Sequence, residues 1–177
     1  MAVSQPQVFI GREEVVRVVS RLAAEISKDY EGRQVLLLGV LKGCFVFMAD
    51  LVRQIRGVAT EMDFVTLSSY EGATVSSGEV RTVQGIRADI RDKEVLVIED
   101  IVDTGITISF LLDYLKFQGP ASVRLCALLD KPSRRQIPVE IDYLGCTVPD
   151  KFIVGYGLDA GEKFRHLPDI CVWEGRE

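Results

Sequence analysis

The segment Gln34–Leu41 reads QVLLLGVL, an unbroken apolar run after its first residue. Eight residues is the length of a strand and too short for a bilayer-spanning helix. A half-exposed strand alternates apolar with polar side chains, and this one does not. Both of its faces must therefore be buried, which is the situation of a strand inside a parallel sheet covered by helices.

The flanking patterns agree. Val15, Val18, Val19, Leu22 and Ile26 recur at helical spacing within residues 12–30, with Arg17, Arg21, Glu25 and Lys28 between them and Gly32 placed to stop the helix. Phe45, Met48, Ala49, Val52 and Ile55 predict a second helix over 45–56. Strands are expected over 60–67, 94–98, 122–129, 139–144 and 152–156, and a third helix over 105–117. Residues 68–82, SSYEGATVSSGEVRT, are polar, small and glycine-containing, and read as a long mobile loop or an extended ribbon. Strands alternating with helices predict an α/β domain with a mostly parallel sheet, and a length of 177 residues suits one domain spanning 1–177.

The segment carrying chemistry is VLVIEDIVDTGIT, residues 95–107. An apolar strand ends in Glu99 and Asp100, and a turn bearing Asp103, Thr104 and Gly105 leads into a helix. In parallel α/β sheets ligands sit beyond the carboxyl ends of the strands, where this turn falls. The first turn of the helix offers unpaired amides and the positive end of a dipole, both suited to phosphate. Gly105 permits close backbone approach, and Thr104 and Thr107 add hydroxyls. Two adjacent acids after a buried strand repel one another unless a cation neutralises them, and magnesium is a natural candidate. The alternative is a solvated Glu99, a turn-forming Asp100 and Asp103 as the helix cap.

With these residues in view, the chain resembles the phosphoribosyltransferases. The resemblance lies in two acids after an apolar strand, then D-[ST]-G-x-T. It extends to Leu41-Lys42-Gly43 after the first apolar strand, to Ser69-Tyr70 on the polar loop, and to VPDKFIVGYGLDAGEKFRHLPDI over residues 148–170. Together these cover about residues 10–173 and are most similar to the hypoxanthine-guanine members. The resemblance implies a type I phosphoribosyltransferase fold, a mostly parallel twisted sheet flanked by helices, with a small hood formed by the terminal segments. It implies purine salvage: magnesium-dependent transfer of the 5-phosphoribosyl group from phosphoribosyl pyrophosphate to a 6-oxopurine base.

The roles it implies are as follows. Glu99 and Asp100 hold the ribose hydroxyls, directly or through magnesium. Asp103, Thr104, Gly105, Ile106 and Thr107 cradle the 5-phosphate, and Asp103 also takes a proton from the base. Lys42, Gly43 and Arg165 meet pyrophosphate, and Asp159 binds a second magnesium. Lys131 recognises the 6-oxygen, Phe152 stacks on the purine, and Ile153 offers backbone groups. Ser69 and Tyr70 lie on a lid that closes over the site. Blander readings exist: Lys42 and Lys131 as solvated turn residues, Phe152 as core, Arg165 as a surface ion pair. Arg134 and Arg135 are expected at the surface, and His166 is read as structural or exposed. The chain departs from the family's usual pattern at Cys44-Phe45, Ile106 and Ala160.

Composition bears on partners. The formal net charge of −5, with no lysine or arginine run, disfavours nucleic acid and a sensor that would need a nucleic-acid surface. No membrane segment or leader is apparent, and Cys44, Cys126, Cys146 and Cys171 form no C-x-x-C pair. Reduced thiols in the cytoplasm are the simplest account. A transferase acting on xanthine, adenine or a pyrimidine is the alternative activity. The family implies a homodimer or homotetramer.

Overall fold

The computed structural model describes residues 5–69 and 80–175. In chain order the elements are β1 (Gln7–Ile10), α1 (Arg12–Asp29), β2 (Gln34–Leu41), α2 (Phe45–Val52), β3 (Ala59–Ser69), β4 (Val80–Gln84), β5 (Glu94–Val102), α3 (Ile106–Phe117), β6 (Ser122–Asp130), β7 (Tyr143–Thr147), β8 (Ile153–Val154) and β9 (Ile170–Val172), with one 3-10 turn at Pro132–Arg134. Six strands form the main sheet in the order β4-β3-β2-β5-β6-β7. The five from β3 to β7 are mutually parallel, and β4 pairs antiparallel on the β3 edge. The terminal segments build a second, antiparallel sheet, β1-β9-β8, which is the expected hood.

The buried run in β2 divides its side chains between two cores, as a period of two requires. Val35 and Leu37 join Leu22, Ile26, Phe47 and Leu51 from α1 and α2 on one face. Leu36, Leu38 and Val40 join Ile108, Leu111 and Leu115 from α3 on the other. In α1, Glu13 and Glu14 in the first turn and Lys28 in the last complement the helix dipole. Asp169 accepts a hydrogen bond from Arg12 N at 2.7 Å, tying the start of α1 to the hood. Among the described residues no helix is long and apolar enough to cross a membrane.

Several boundaries differ from the sequence reading. The strand expected over 139–144 runs instead over Tyr143–Thr147. The preceding backbone is committed elsewhere: Gln136 N and Ile137 N both donate to Thr104 O, at 2.8 and 3.1 Å. Asp142 marks the start of regular pairing by accepting from Leu125 N at 2.8 Å. The strand expected over 152–156 shortens to Ile153–Val154, because Gly155 (φ 93°) and Tyr156 (φ 50°) turn the chain into the left-handed region. Glu99 and Asp100 lie within β5, which continues to Val102, rather than beyond its end. β1 and β9 were expected only as parts of the terminal hood, and β4 overlaps the end of the segment read as a loop or extended ribbon. Most of the expected lid, including Tyr70, lies outside the described residues.

Candidate active site

Four segments meet at the carboxyl edge of the parallel strands: the turn after β2, the end of β5 with the turn into α3, the turn after β6, and the hood. The first two touch directly. Gly43 lies against the Asp100 carboxylate, leaving no room for a side chain, and Asp100 is only 9% exposed. The Leu41–Lys42 peptide in this turn is cis. Cys44 is buried here, and its thiol is pushed up by burial first and by the charges of Glu99 and Asp100 second.

The two acids crowd one another in a buried setting. Burial, then the neighbouring Asp100, holds the Glu99 carboxyl well above the usual carboxylate range. Burial also raises Asp100, partly countered by hydrogen bonding to Glu99, by the Ile101 N–H and by the charge of Arg165. Relief of this crowding by a hard cation is the chemistry that magnesium supplies.

Asp103 is not the helix cap. The N-cap of α3 is Gly105, at φ 83°, and the side chain that accepts from the first helical N–H, Ile106 N, is Thr104 Oγ1 at 3.4 Å. The Asp103 carboxylate instead faces cations from the turn after β6, with Lys131 Nζ at 3.8 Å and Arg134 Nε at 3.4 Å. Its Oδ1 is buried without a hydrogen-bond partner among the described residues. Lys131 is 5% exposed, which removes the solvated-turn reading, and its Nζ donates to Lys151 O at 2.9 Å.

Arg135, expected at the surface, is mostly buried. Its guanidinium donates to the carbonyls of Asp103 (3.0 Å) and Val102 (3.1 Å) and to the Asp130 carboxylate. It clamps the turn that carries Asp103 and Thr104. A five-donor fork able to bind carbonyls and a carboxylate together explains why arginine stands here. Arg134 is half exposed, as read, yet it reaches Asp103.

Two cavities open at this edge. One, of about 220 Å³, is lined by Ile101, Asp103, Lys131, Arg134, Phe152 and Ile153 among others. Phe152 is 52% exposed, and its ring meets Trp173 edge-on at 5.8 Å, so it is a wall of this cavity rather than core. The second cavity, of about 180 Å³, is lined by Glu99, Ile101, Val102, Asp103, Thr104, Gly105, Thr107 and Ile108. Ile106 is half-buried at the first position of α3. A third cavity, of about 210 Å³, near Ser109, Lys116 and Glu140, contains none of the motif residues.

On the hood, Arg165 is held by three acceptors. It pairs with Asp159 at 2.8 Å and Glu162 at 3.1 Å, and it donates to Gly157 O at 2.8 Å. Lys42 crosses to the same Glu162 at 2.8 Å. Ala160 is buried beside Val154 and Cys171, so the small residue fills a hood position. His166 is exposed, and all four cysteines are free. The backbone of Ser69 ends β3, while Tyr70 is not among the described residues.

Sequence reasoning missed Glu162, Arg135 and Ile101. The i, i+3 spacing of Glu162 and Arg165 was a visible signal for the first. Ile101 sits inside the acidic-loop motif as one of its apolar positions, and for Arg135 no local pattern existed.

The phosphoribosyl transferase domain family matches residues 10–160. The hypoxanthine-guanine phosphoribosyltransferase of Bacillus subtilis (strain 168) is 43% identical over 166 residues, covering 94% of this chain and 92% of that protein. The bifunctional protein TilS/HprT of Listeria monocytogenes serotype 4b is 46% identical over 166 residues, and this chain spans 26% of its length. A crystal structure of a Bacillus anthracis hypoxanthine-guanine phosphoribosyltransferase superposes with a TM-score of 0.86 at 40% identity, covering 94% of this chain and 98% of that one.

Proposed function

Since this chain belongs to the hypoxanthine-guanine phosphoribosyltransferases, we propose that it moves the 5-phosphoribosyl group of phosphoribosyl pyrophosphate onto hypoxanthine or guanine. The observation that carries this reading is the position of Asp103 in the walls of both cavities. One cavity has a flat aromatic wall and a buried cation and suits a purine. The other has the α3 N-terminus and suits the phosphorylated ribose. A group between them is where a base meets an anomeric carbon.

In the reaction, the bond from the anomeric carbon to pyrophosphate breaks and a bond to an imidazole nitrogen of the base forms. The proton leaving that ring passes to the Asp103 carboxylate, which borders both cavities. Lys131 donates to the 6-oxygen, Phe152 stacks, and the backbone of Ile153 meets the base edge. Thr104, Gly105, Ile106 and Thr107 hold the 5-phosphate, with Arg135 fixing the turn from behind. Lys42, Gly43 and Arg165 face pyrophosphate.

Glu99 and Asp100 would hold one magnesium, and Asp159 a second. Among the described residues no group of three or more ligating side chains is arranged to hold an ion alone, so the ion would share its shell with substrate oxygens. When bound it would neutralise the departing pyrophosphate. A cytoplasmic homodimer or homotetramer completes the reading, with light scattering as its check.

The test is a base panel with phosphoribosyl pyrophosphate and magnesium, following pyrophosphate release. Hypoxanthine and guanine should turn over, and adenine poorly. Its 6-amino group leaves the Lys131 donor unpaired, a loss of about 1–3 kcal/mol. Comparable turnover of adenine and hypoxanthine would sink the assignment.

A further inference from the structure

Glu162 has no part in the chemistry above, yet its carboxylate joins the two cations assigned to pyrophosphate. Oε1 is 2.8 Å from Lys42 Nζ, and Oε2 is 3.1 Å from the Arg165 guanidinium. Each oxygen thus serves a different cation, and the two cations come from opposite walls, the turn after β2 and the hood. Glu162 is positioned for this by its own turn. Its N–H donates to Asp159 Oδ2 at 2.8 Å, and its backbone lies in the left-handed region at φ 65°.

The arrangement does little for stability. The Lys42 and Glu162 side chains are 65% and 62% exposed, and exposed pairs of long side chains contribute little to folding. Its consequence is local. A polyanion entering between Lys42 and Arg165 meets cations whose charge is already matched.

We propose that Glu162 is a built-in counterion of the pyrophosphate subsite, holding Lys42 and Arg165 in the empty site and yielding them when pyrophosphate binds. It is a positioning residue, and this role rests on the assignment of Lys42 and Arg165 to pyrophosphate. Competition by Glu162 weakens pyrophosphate binding and thereby favours release of the product. It also keeps two cations from opposite walls pointing into the same subsite.

The experiment measures binding of inorganic pyrophosphate with magnesium by calorimetry, on the whole chain and on Glu162→Gln and Glu162→Ala. Both variants should bind pyrophosphate about threefold to tenfold more tightly at low salt, the scale set by releasing exposed ion pairs. The gap should narrow at high salt, where screening weakens the competitor. KM for phosphoribosyl pyrophosphate should fall in both variants without a rise in kcat. Unchanged or weaker pyrophosphate binding in Glu162→Gln overturns the proposal, as does tightening confined to Glu162→Ala, which would report space rather than charge. Turnover of hypoxanthine by the unmodified chain, measured in parallel, tests the assigned activity by itself. An active chain with unaltered pyrophosphate binding in the variants would reject only the role of Glu162.

Discussion

Gly43 packs its backbone on the Asp100 carboxylate so closely that a Cβ at residue 43 would stand 1.6 Å from Oδ2 and 2.5 Å from Cγ. The contact joins the turn after β2 to the end of β5. The Asp100 side chain has little freedom to move away, since it is buried and its Oδ1 accepts from Ile101 N at 2.9 Å.

Gly43→Ala should therefore destabilise the chain by about 1–3 kcal/mol, the usual range for an overpacked site. Activity should fall with it. Adding Asp100→Ala removes the obstructing carboxylate and should restore much of the stability while activity stays low. A double-mutant cycle by urea denaturation checks this, and additive losses would show that the two residues do not interfere.

Asp103→Asn separates chemistry from structure. Gly105 is the N-cap of α3, so no cap is lost, and any fall in melting temperature reports the charge removed from beside Lys131 and Arg134. Asparagine cannot take the proton, and kcat should drop about 10²–10⁴-fold with phosphoribosyl pyrophosphate binding nearly unchanged. Glu99→Gln and Asp100→Asn should instead raise the magnesium requirement. Steady-state kinetics across a magnesium series distinguishes the two patterns, and an active Asp103→Asn enzyme would remove Asp103 from proton transfer.

Arg135 pairs with Asp130 at side-chain exposures of 16% and 14%. Arg135→Met strands the Asp130 charge and releases the carbonyls of Val102 and Asp103, so a stability loss of about 3 kcal/mol is expected. Arg135→Met with Asp130→Leu should recover part of it, because an apolar pair leaves no buried charge. Chemical denaturation measures the loss. A single variant as stable as the parent would show that the clamp is dispensable.

Asp63 supplies a pH signature. Burial raises its carboxyl, but N–H donors from Ala88, Arg87 and Phe64, together with the Arg87 charge, outweigh this and leave it below the ordinary range. A depressed folded value means the ionised form is favoured by folding. The added stability is present above the unfolded value, near pH 4, and is lost as pH falls through the folded value. Asp63→Asn should lower stability near neutrality and leave it nearly unchanged below the folded value, so the acid limb of the stability profile flattens. Acid unfolding curves of the two proteins test this.

The apolar run of β2, the helical repeat of α1 and the acids of β5 were legible because each is set by spacing along a short segment. A period of two with no polar face permits only a covered strand, and adjacent acids in such a strand repel one another unless something offsets their charge. The errors fell where distant backbone competes for the same hydrogen bonds. Residues 139–144 read as a strand, yet the chain just before them is held by Gln136 and Ile137 donating to Thr104 O, and regular pairing starts only at Tyr143. Only tertiary structure could decide that Asp103 faces Lys131 rather than capping α3, or that Arg135 turns inward. The same holds for Glu162 and Lys42, which stand 120 residues apart and meet. Local pattern governs which residues prefer a strand, a helix or a turn. The partner of a charged side chain is settled by which loops the sheet order brings to one edge, and that depends on the packing of the whole chain.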